Sequence, residues 1–284
     1  MSVTPVTTDS VASTDQPWRG RRAGFGHDML AEWTKIRSVR STLWTLIIAI
    51  IVIVGFTALI SWVVVANWNG PHAAARDARA ISDPTSIIYG VAIYLGQLAF
   101  AVLGVLVVTT EYSTGVIRAS LLAVPKRYTM LAAKVVVFTL VMLVLAEIIS
   151  FGSFFVGALI LHNHVSVSLS DHDVLRATFG AGLYLVGFGL FALAIGVLIR
   201  HTAGAISVAV AVAFVLPILT GLLPDTSFFN HLNAYLPEQA GSQIYLVRPT
   251  GIPLLSAWQG LGVLAIYIVV LLGIGAYLFD RRDA

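Results

Sequence analysis

Six apolar stretches, each long enough to cross a bilayer, constrain this chain more than any other feature. They run at about residues 43–66, 87–109, 131–161, 174–199, 203–223 and 257–279. A spanning helix needs roughly 20 predominantly apolar residues, and backbone groups in lipid must be satisfied within a helix or a closed barrel. Runs such as LIIAIIVIV and KVVVFTLVMLVL lack the alternation of a barrel strand. The expected fold is therefore an all-α integral membrane protein with six transmembrane helices. The rest of the composition fits. Apolar residues make up 58% of the chain and charged ones 11%, against about 45–50% and about 25% in soluble domains. So little charge would not cover the surface of a soluble protein of 284 residues. With no cysteine present, disulfides, thiolate metal sites and cysteine nucleophiles are excluded.

Lys and Arg set the orientation. With the amino terminus inside, the inner segments hold Arg19, Arg21, Arg22, Lys35, Arg37, Arg40, Arg118, Lys126, Arg127, Lys134, Arg200, Arg281 and Arg282. The outer segments hold only Arg76, Arg79, Arg176 and Arg248. This asymmetry predicts that both termini are cytoplasmic. The net charge of +3 then belongs to an inner membrane face in contact with lipid, and no nucleic-acid partner is expected.

Residues 1–24 carry no periodic apolar pattern and read as a disordered cytoplasmic tail. No apolar core follows until residue 43, so they are not expected to be a signal peptide. Residues 25–284 form the six-helix domain. Ahead of its first span, Met29, Trp33, Ile36, Val39 and Leu43 recur at helical spacing, with Lys35 and Arg37 off that face. This predicts an amphipathic helix lying in the inner interface.

Between spans, the chemistry is thin. Arg76, Asp77 and Arg79 read as a solvated face of the first outer loop. His162, His164, His172, Asp171 and Asp173 cluster in the second, but nothing fixes the convergent geometry a metal needs, so no metal site is expected. Within the spans, Tyr89, Tyr94 and Gln97 either point inward or bond to neighbouring helices. Glu147 is the one carboxylate well inside a span; from Lys134, at about 1.5 Å per residue, it lies roughly 20 Å in. An intramembrane acid is a candidate pathway residue, whose alternative is a protonated group bonded to another helix. Gly182, Gly189 and Gly196 recur every seventh residue and, with Ala192, suit close helix packing. Pro217 should kink the fifth span. Residues 224–256 are too interrupted to span and read as a cap or lid against the outer end.

Residues 111–134, EYSTGVIRASLLAVPKRYTMLAAK, are the polar, basic break between the second and third spans. Between Gly115 and Pro125, Val116, Ile117, Leu121 and Leu122 fit a short helix, with Glu111, Tyr112, Arg118, Lys126 and Arg127 available for contact. The chain has no phosphate-cradling GxxxxGK[ST], no HExxH and no GxSxG. It is not expected to be an enzyme, and a polytopic protein without its own energy source suggests an external drive.

The segments MLAEWTKIRSVRSTLWTLI, EYSTGVIRASLLAVPKR and AYLPEQAGSQI, in that order and placement, resemble ABC transporter permeases of the type-2 exporter class, particularly actinobacterial ones. The likeness runs from about residue 29 to the carboxyl end. It implies an elbow helix on the inner face carrying Met29, Trp33, Lys35, Ile36 and Arg37. It also implies a cytoplasmic coupling helix between the second and third spans, and contact with an ATPase through the 111–127 region. Such permeases work as dimers in the bacterial plasma membrane, on a separate ABC ATP-binding subunit that holds the ATP and Mg. No cofactor is implied in this chain. Competing readings are a non-transporting membrane anchor, immunity or sensor component, and a secondary transporter working through Glu147.

Overall fold

The computed structural model describes residues 25–38, 40–70, 73–115, 127–224, 226–248 and 254–281. In chain order the elements are α1 (Phe25–Ser38), α2 (Arg40–Ala66), α3 (Ala74–Ser82), α4 (Pro84–Ser113), α5 (Arg127–Leu161), α6 (Val174–Ile199) and α7 (Thr202–Val210). A π-helical turn (Ala211–Val215) follows, then α8 (Leu216–Gly221), α9 (Ser227–Ala234), α10 (Pro237–Ser242) and α11 (Ala257–Arg281). No strand occurs among the described residues. Six helical segments are long and apolar enough to cross a membrane: Trp44–Ala66, Pro84–Ser113, Tyr128–Leu161, Val174–Ile199, Thr202–Gly221 and Ala257–Leu278. They match the six stretches of the sequence to within a few residues at each end. The tail at 1–24 and the expected coupling helix at 116–126 lie outside the described residues.

The fourth span is the axis of the bundle. In α6, 78% of the span is buried, against 17–22% in the first, fifth and sixth. It packs on α4, α5 and α11 and turns directly into α7. Glycine makes these contacts possible. A Cβ on Gly104 of α4 would lie 2.1 Å from the carbonyl oxygen of Gly189 in α6, so the two backbones touch where neither helix carries a side chain. Two of the three glycines at sevenfold spacing lie on this seam: Gly189 faces Phe100 and Phe138, and Gly196 faces Val105, whereas Gly182 faces Glu147 of α5. Helices in lipid associate through such small-residue contacts because lipid gives no hydrophobic drive for them to do so.

Two corners fix the connectivity. Arg200 takes the left-handed conformation (φ 58°) and ends α6, with its N–H on the Gly196 carbonyl. His201 then caps α7 by accepting the Gly204 N–H on its ring. This is the tight hairpin expected at Arg200–Thr202. At Pro217 the expected kink takes a specific form. Pro217 offers no N–H, and the turn before it, Ala211–Val215, widens to π geometry. A proline displaces the carbonyl four residues back, and a π turn is one way to accommodate it.

One loop reading needs correction. Asp77 is not solvated: it is buried, accepting hydrogen bonds from the Arg76 guanidinium and the Asn69 N–H. Burial pushes its carboxyl up, but these donors outweigh burial and hold it below its ordinary value. Arg79 is exposed, as expected.

Candidate functional site

Three polar constellations lie on this scaffold. The first is at the end of the bundle where α1, the last turn of α4 and the first turns of α5 meet. α5 has 35 residues, about 52 Å at 1.5 Å per residue, and the hydrocarbon core is only about 30 Å thick. The helix is therefore longer than the hydrocarbon core is thick, and Lys134 sits near its beginning. There the Lys134 ammonium donates to Glu32 Oε2 of α1 and to Glu111 Oε1 of α4, each at 2.8 Å. Lys35 bridges the same two acids, at 2.6 Å to Glu32 Oε1 and 2.9 Å to Glu111 Oε1. Two cations and two anions thus close a ring across three helices. Burial differs sharply within it: the Lys134 side chain is 5% exposed and that of Lys35 42%.

Electrostatics follows from that arrangement. Burial pushes the Glu32 carboxyl up, but Lys134, and then Lys35, outweigh it and hold it below its ordinary value of 4.5. Burial works against the Lys35 ammonium, yet its bonds to Glu32 and Glu111 carry it above 10.5. Glu32 and Lys35 are therefore both charged at neutral pH, and the ring sets two lysines against two glutamates.

The polar side of α1 was not anticipated from the sequence. Asp28 and Glu32 are buried, and Lys35 continues the same stripe at the i, i+4, i+7 positions. Leu30 and Trp33 face outward, 63% and 48% exposed, as an interfacial helix would present them to lipid. Met29 is half-buried; Ile36 and Arg37 belong to the helix. The signal was available in the spacing of Asp28, Glu32 and Lys35, but a charged stripe on a short helix usually means water.

The residues put forward for ATPase contact divide accordingly. Glu111 is turned inward, its carboxylate on Lys134 and Lys35. The ring of Tyr112 lies under the Arg200 guanidinium at 5.1 Å, linking the end of α4 to the α6–α7 corner. Arg127 opens α5. Arg118 and Lys126 lie outside the described residues.

The second constellation surrounds Glu147 of α5. Both its carboxyl oxygens are buried without a hydrogen-bond partner. The group rests on bare backbone: a Cβ on Gly182 of α6 would stand 2.4 Å from Glu147 Oε1. Nearby, the Tyr89 hydroxyl donates to Thr178 Oγ1 at 2.8 Å, and the Ser150 hydroxyl donates to the Thr178 carbonyl. Tyr89 is thus one of the inward-bonding residues anticipated in α4. Gln97 is another, accepting the Tyr184 hydroxyl, whereas Tyr94 is 49% exposed.

The third was not anticipated. Residues 237–245 fold back onto α6, α11 and the π turn, which brings Glu238, 3% exposed, into the bundle with Oε2 unpartnered. The fold-back is anchored from below. Arg176 donates to the Ile244 and Leu246 carbonyls at 2.7 and 3.0 Å, and Gly260 lets the Ala240 carbonyl approach α11. Glu147 is therefore not the only buried acid lacking a partner. The sequence concealed Glu238 because a Pro–Glu pair in an interrupted outer segment reads as loop, although Pro237 at the first helical position is an ordinary helix start.

In the second outer loop, Asp173 pairs with Arg176 and His172, and His164 packs on Trp68 at 4.6 Å. Among the described residues, no three His, Asp or Glu side chains converge as a metal site. No protein-family model matches the sequence, and no curated protein matches it.

Proposed function

We propose that this chain is the permease subunit of an ATP-driven ABC exporter, working as a dimer on a separate ATP-hydrolysing subunit. The observation that carries the reading is the Glu32–Lys35–Glu111–Lys134 ring. Glu111 lies just before, and Lys134 just after, the 116–126 segment proposed as the coupling helix, and Glu32 and Lys35 belong to α1, the proposed elbow. A force applied to that segment by a partner would reach two spans and the interfacial helix through one ionic joint. The low burial of the first, fifth and sixth spans, at 17–22%, leaves lateral faces for lipid and a second copy.

The test is isolation of the full-length chain from its native membrane in mild detergent. An ATP-hydrolysing protein of the binding-cassette type should accompany it near one-to-one. Replacing Arg118 and Lys126 by alanine should release that partner while leaving the chain in the membrane. Recovery of the chain without any such protein, under conditions where the chain stays folded, would remove the proposal.

A further inference from the structure

We infer that the outer half of the bundle holds a binding site for a lipophilic organic cation, with Glu238 as its counter-ion and the rings of Tyr94, Tyr184 and Tyr245 as its aromatic wall. An ionised carboxylate buried without a partner is costly, and proteins ordinarily offset it with a cation. Here the described residues supply none. Among the described residues no Lys, Arg or His pairs with Glu238, and burial alone acts on its carboxyl, pushing it up to about 7. A cation pairing with the ionised form would come from outside the described residues.

The surroundings select its type. Hard metal ions take about six or more oxygen ligands, and among the described residues no three His, Asp or Glu side chains converge to form such a set. What surrounds Glu238 is aromatic. The Tyr184 and Tyr245 rings meet at 5.3 Å and 62°, and Tyr94 packs on Phe214 at 6.2 Å. The short helix carrying Glu238 packs on α6 and the π turn, and a Cβ on Gly241 would stand 2.9 Å from the Tyr184 ring. Ring faces with one carboxylate are the chemistry that recognises alkylated or protonated amines and related onium ions. Gln97 adds an oriented group: Tyr184 holds its Oε1, and its Nε2 is buried and unpartnered, a free donor for an oxygen on the ligand. Entry is between α4 and the fifth span, where Tyr94 is half exposed and Phe214 belongs to the π turn. π turns are frequent at functional sites.

As the substrate class of an exporter, this inference rests on the reading above. As a binding site it does not, so it is tested without an ATPase. The purified full-length chain in lipid nanodiscs is titrated with radiolabelled tetraphenylphosphonium, and with tetraphenylborate as the anion of the same shape. The wild type should bind the phosphonium above protein-free discs and prefer it to the borate. Glu238→Gln should weaken phosphonium binding by about tenfold or more, as expected when one member of a buried charge pair is lost, and should erase the preference.

The wild type alone provides a second arm. The charged carboxylate is the binding form, so affinity should fall several-fold from about pH 8 to about pH 6, and Glu238→Gln should be flat. The elements packed on this segment carry the phenols of Tyr184 from α6 and Tyr267 from α11, with Tyr245 from the segment itself and Tyr94 of α4 on the π turn, and the guanidinium of Arg176 from α6. Ordinary phenols and guanidinium groups do not change charge in that range. Wild-type binding no greater than that of empty discs overturns the inference. So does Glu238→Gln binding within about twofold of wild type, or pH dependence that persists in that variant.

Discussion

Removing Lys134 should cost far more than removing Lys35, although each bridges the same two carboxylates. Lys134 makes two charge-assisted bonds of 2.8 Å from a side chain that is 5% exposed. Such bonds contribute about 1.5–3 kcal/mol each, and breaking a buried pair by deleting one partner costs about 3–5 kcal/mol. Lys35 remains in the variant and still neutralises part of the charge on Glu32 and Glu111. Lys134→Met, which keeps the aliphatic stem, should therefore lose about 3 kcal/mol. Lys35→Met removes a side chain that is 42% exposed and should lose no more than about 1 kcal/mol, as exposed pairs do. Thermal unfolding of the purified protein in nanodiscs reads the difference, at about 2–4 °C per kcal/mol. A double-mutant cycle pairing Lys134→Met with Glu32→Gln isolates the contact and should give a coupling of about 1–3 kcal/mol. Equal losses from the two lysine variants, or a coupling below about 0.5 kcal/mol, would show that the ring does not hold the three helices together.

Other predictions concern packing and titration. Gly104→Ala should prevent stable assembly, because its Cβ meets the Gly189 carbonyl at 2.1 Å, and that backbone has no room to retreat. Gly182→Ala meets the Glu147 carboxyl instead and should cost only about 1–3 kcal/mol, as overpacking does when a side chain can shift; melting of the two variants ranks them. Glu32 has a lowered folded-state value, so its contribution is present above 4.5 and is lost as pH falls from there through that value. Lys35 has a raised one, so its contribution is present below 10.5 and is lost as pH rises beyond it. Wild-type melting should therefore lose the Glu32 contribution on the acid side of 4.5 and the Lys35 contribution on the alkaline side of 10.5, and the acid limb should shrink in Glu32→Gln. Glu147→Gln keeps the shape of a group whose oxygens have no partner, so stability should hold. A reading in which Glu147 carries protons or cations requires loss of transport in that variant, measured as flux with and without a proton uncoupler.

Most of the fold was legible in the sequence because membrane spans depend on local composition. Leu131–Leu161 or Val174–Ile199 can be read from hydropathy alone, since lipid forces each segment to satisfy its own backbone. The glycine seam was legible for a related reason: close helix contact needs small residues at a fixed period. Pairings between distant charges were not. Lys134 meets Glu32 across 102 positions, and no pattern near either residue specifies the other. Asp77 and Glu238 were obscured by the same rule of thumb, that acids in polar connections face water. Each is buried because a short helix folds back on the bundle, and that fold-back depends on tertiary contacts such as Arg176 on Ile244. The Pro217 disturbance was predictable in position but not in form, because a kink and a π turn answer the same missing N–H.

The ring at the base of the bundle also bears on voltage. A charge carried across the membrane exchanges about 2.3 kcal/mol per 100 mV with the field. The ring holds two lysines against two glutamates, so moving it as a unit transfers no net charge. The resting potential of the cell would neither drive nor resist such a motion. As the joint proposed above, the ring would transmit the same stroke in an energised membrane and in a depolarised one.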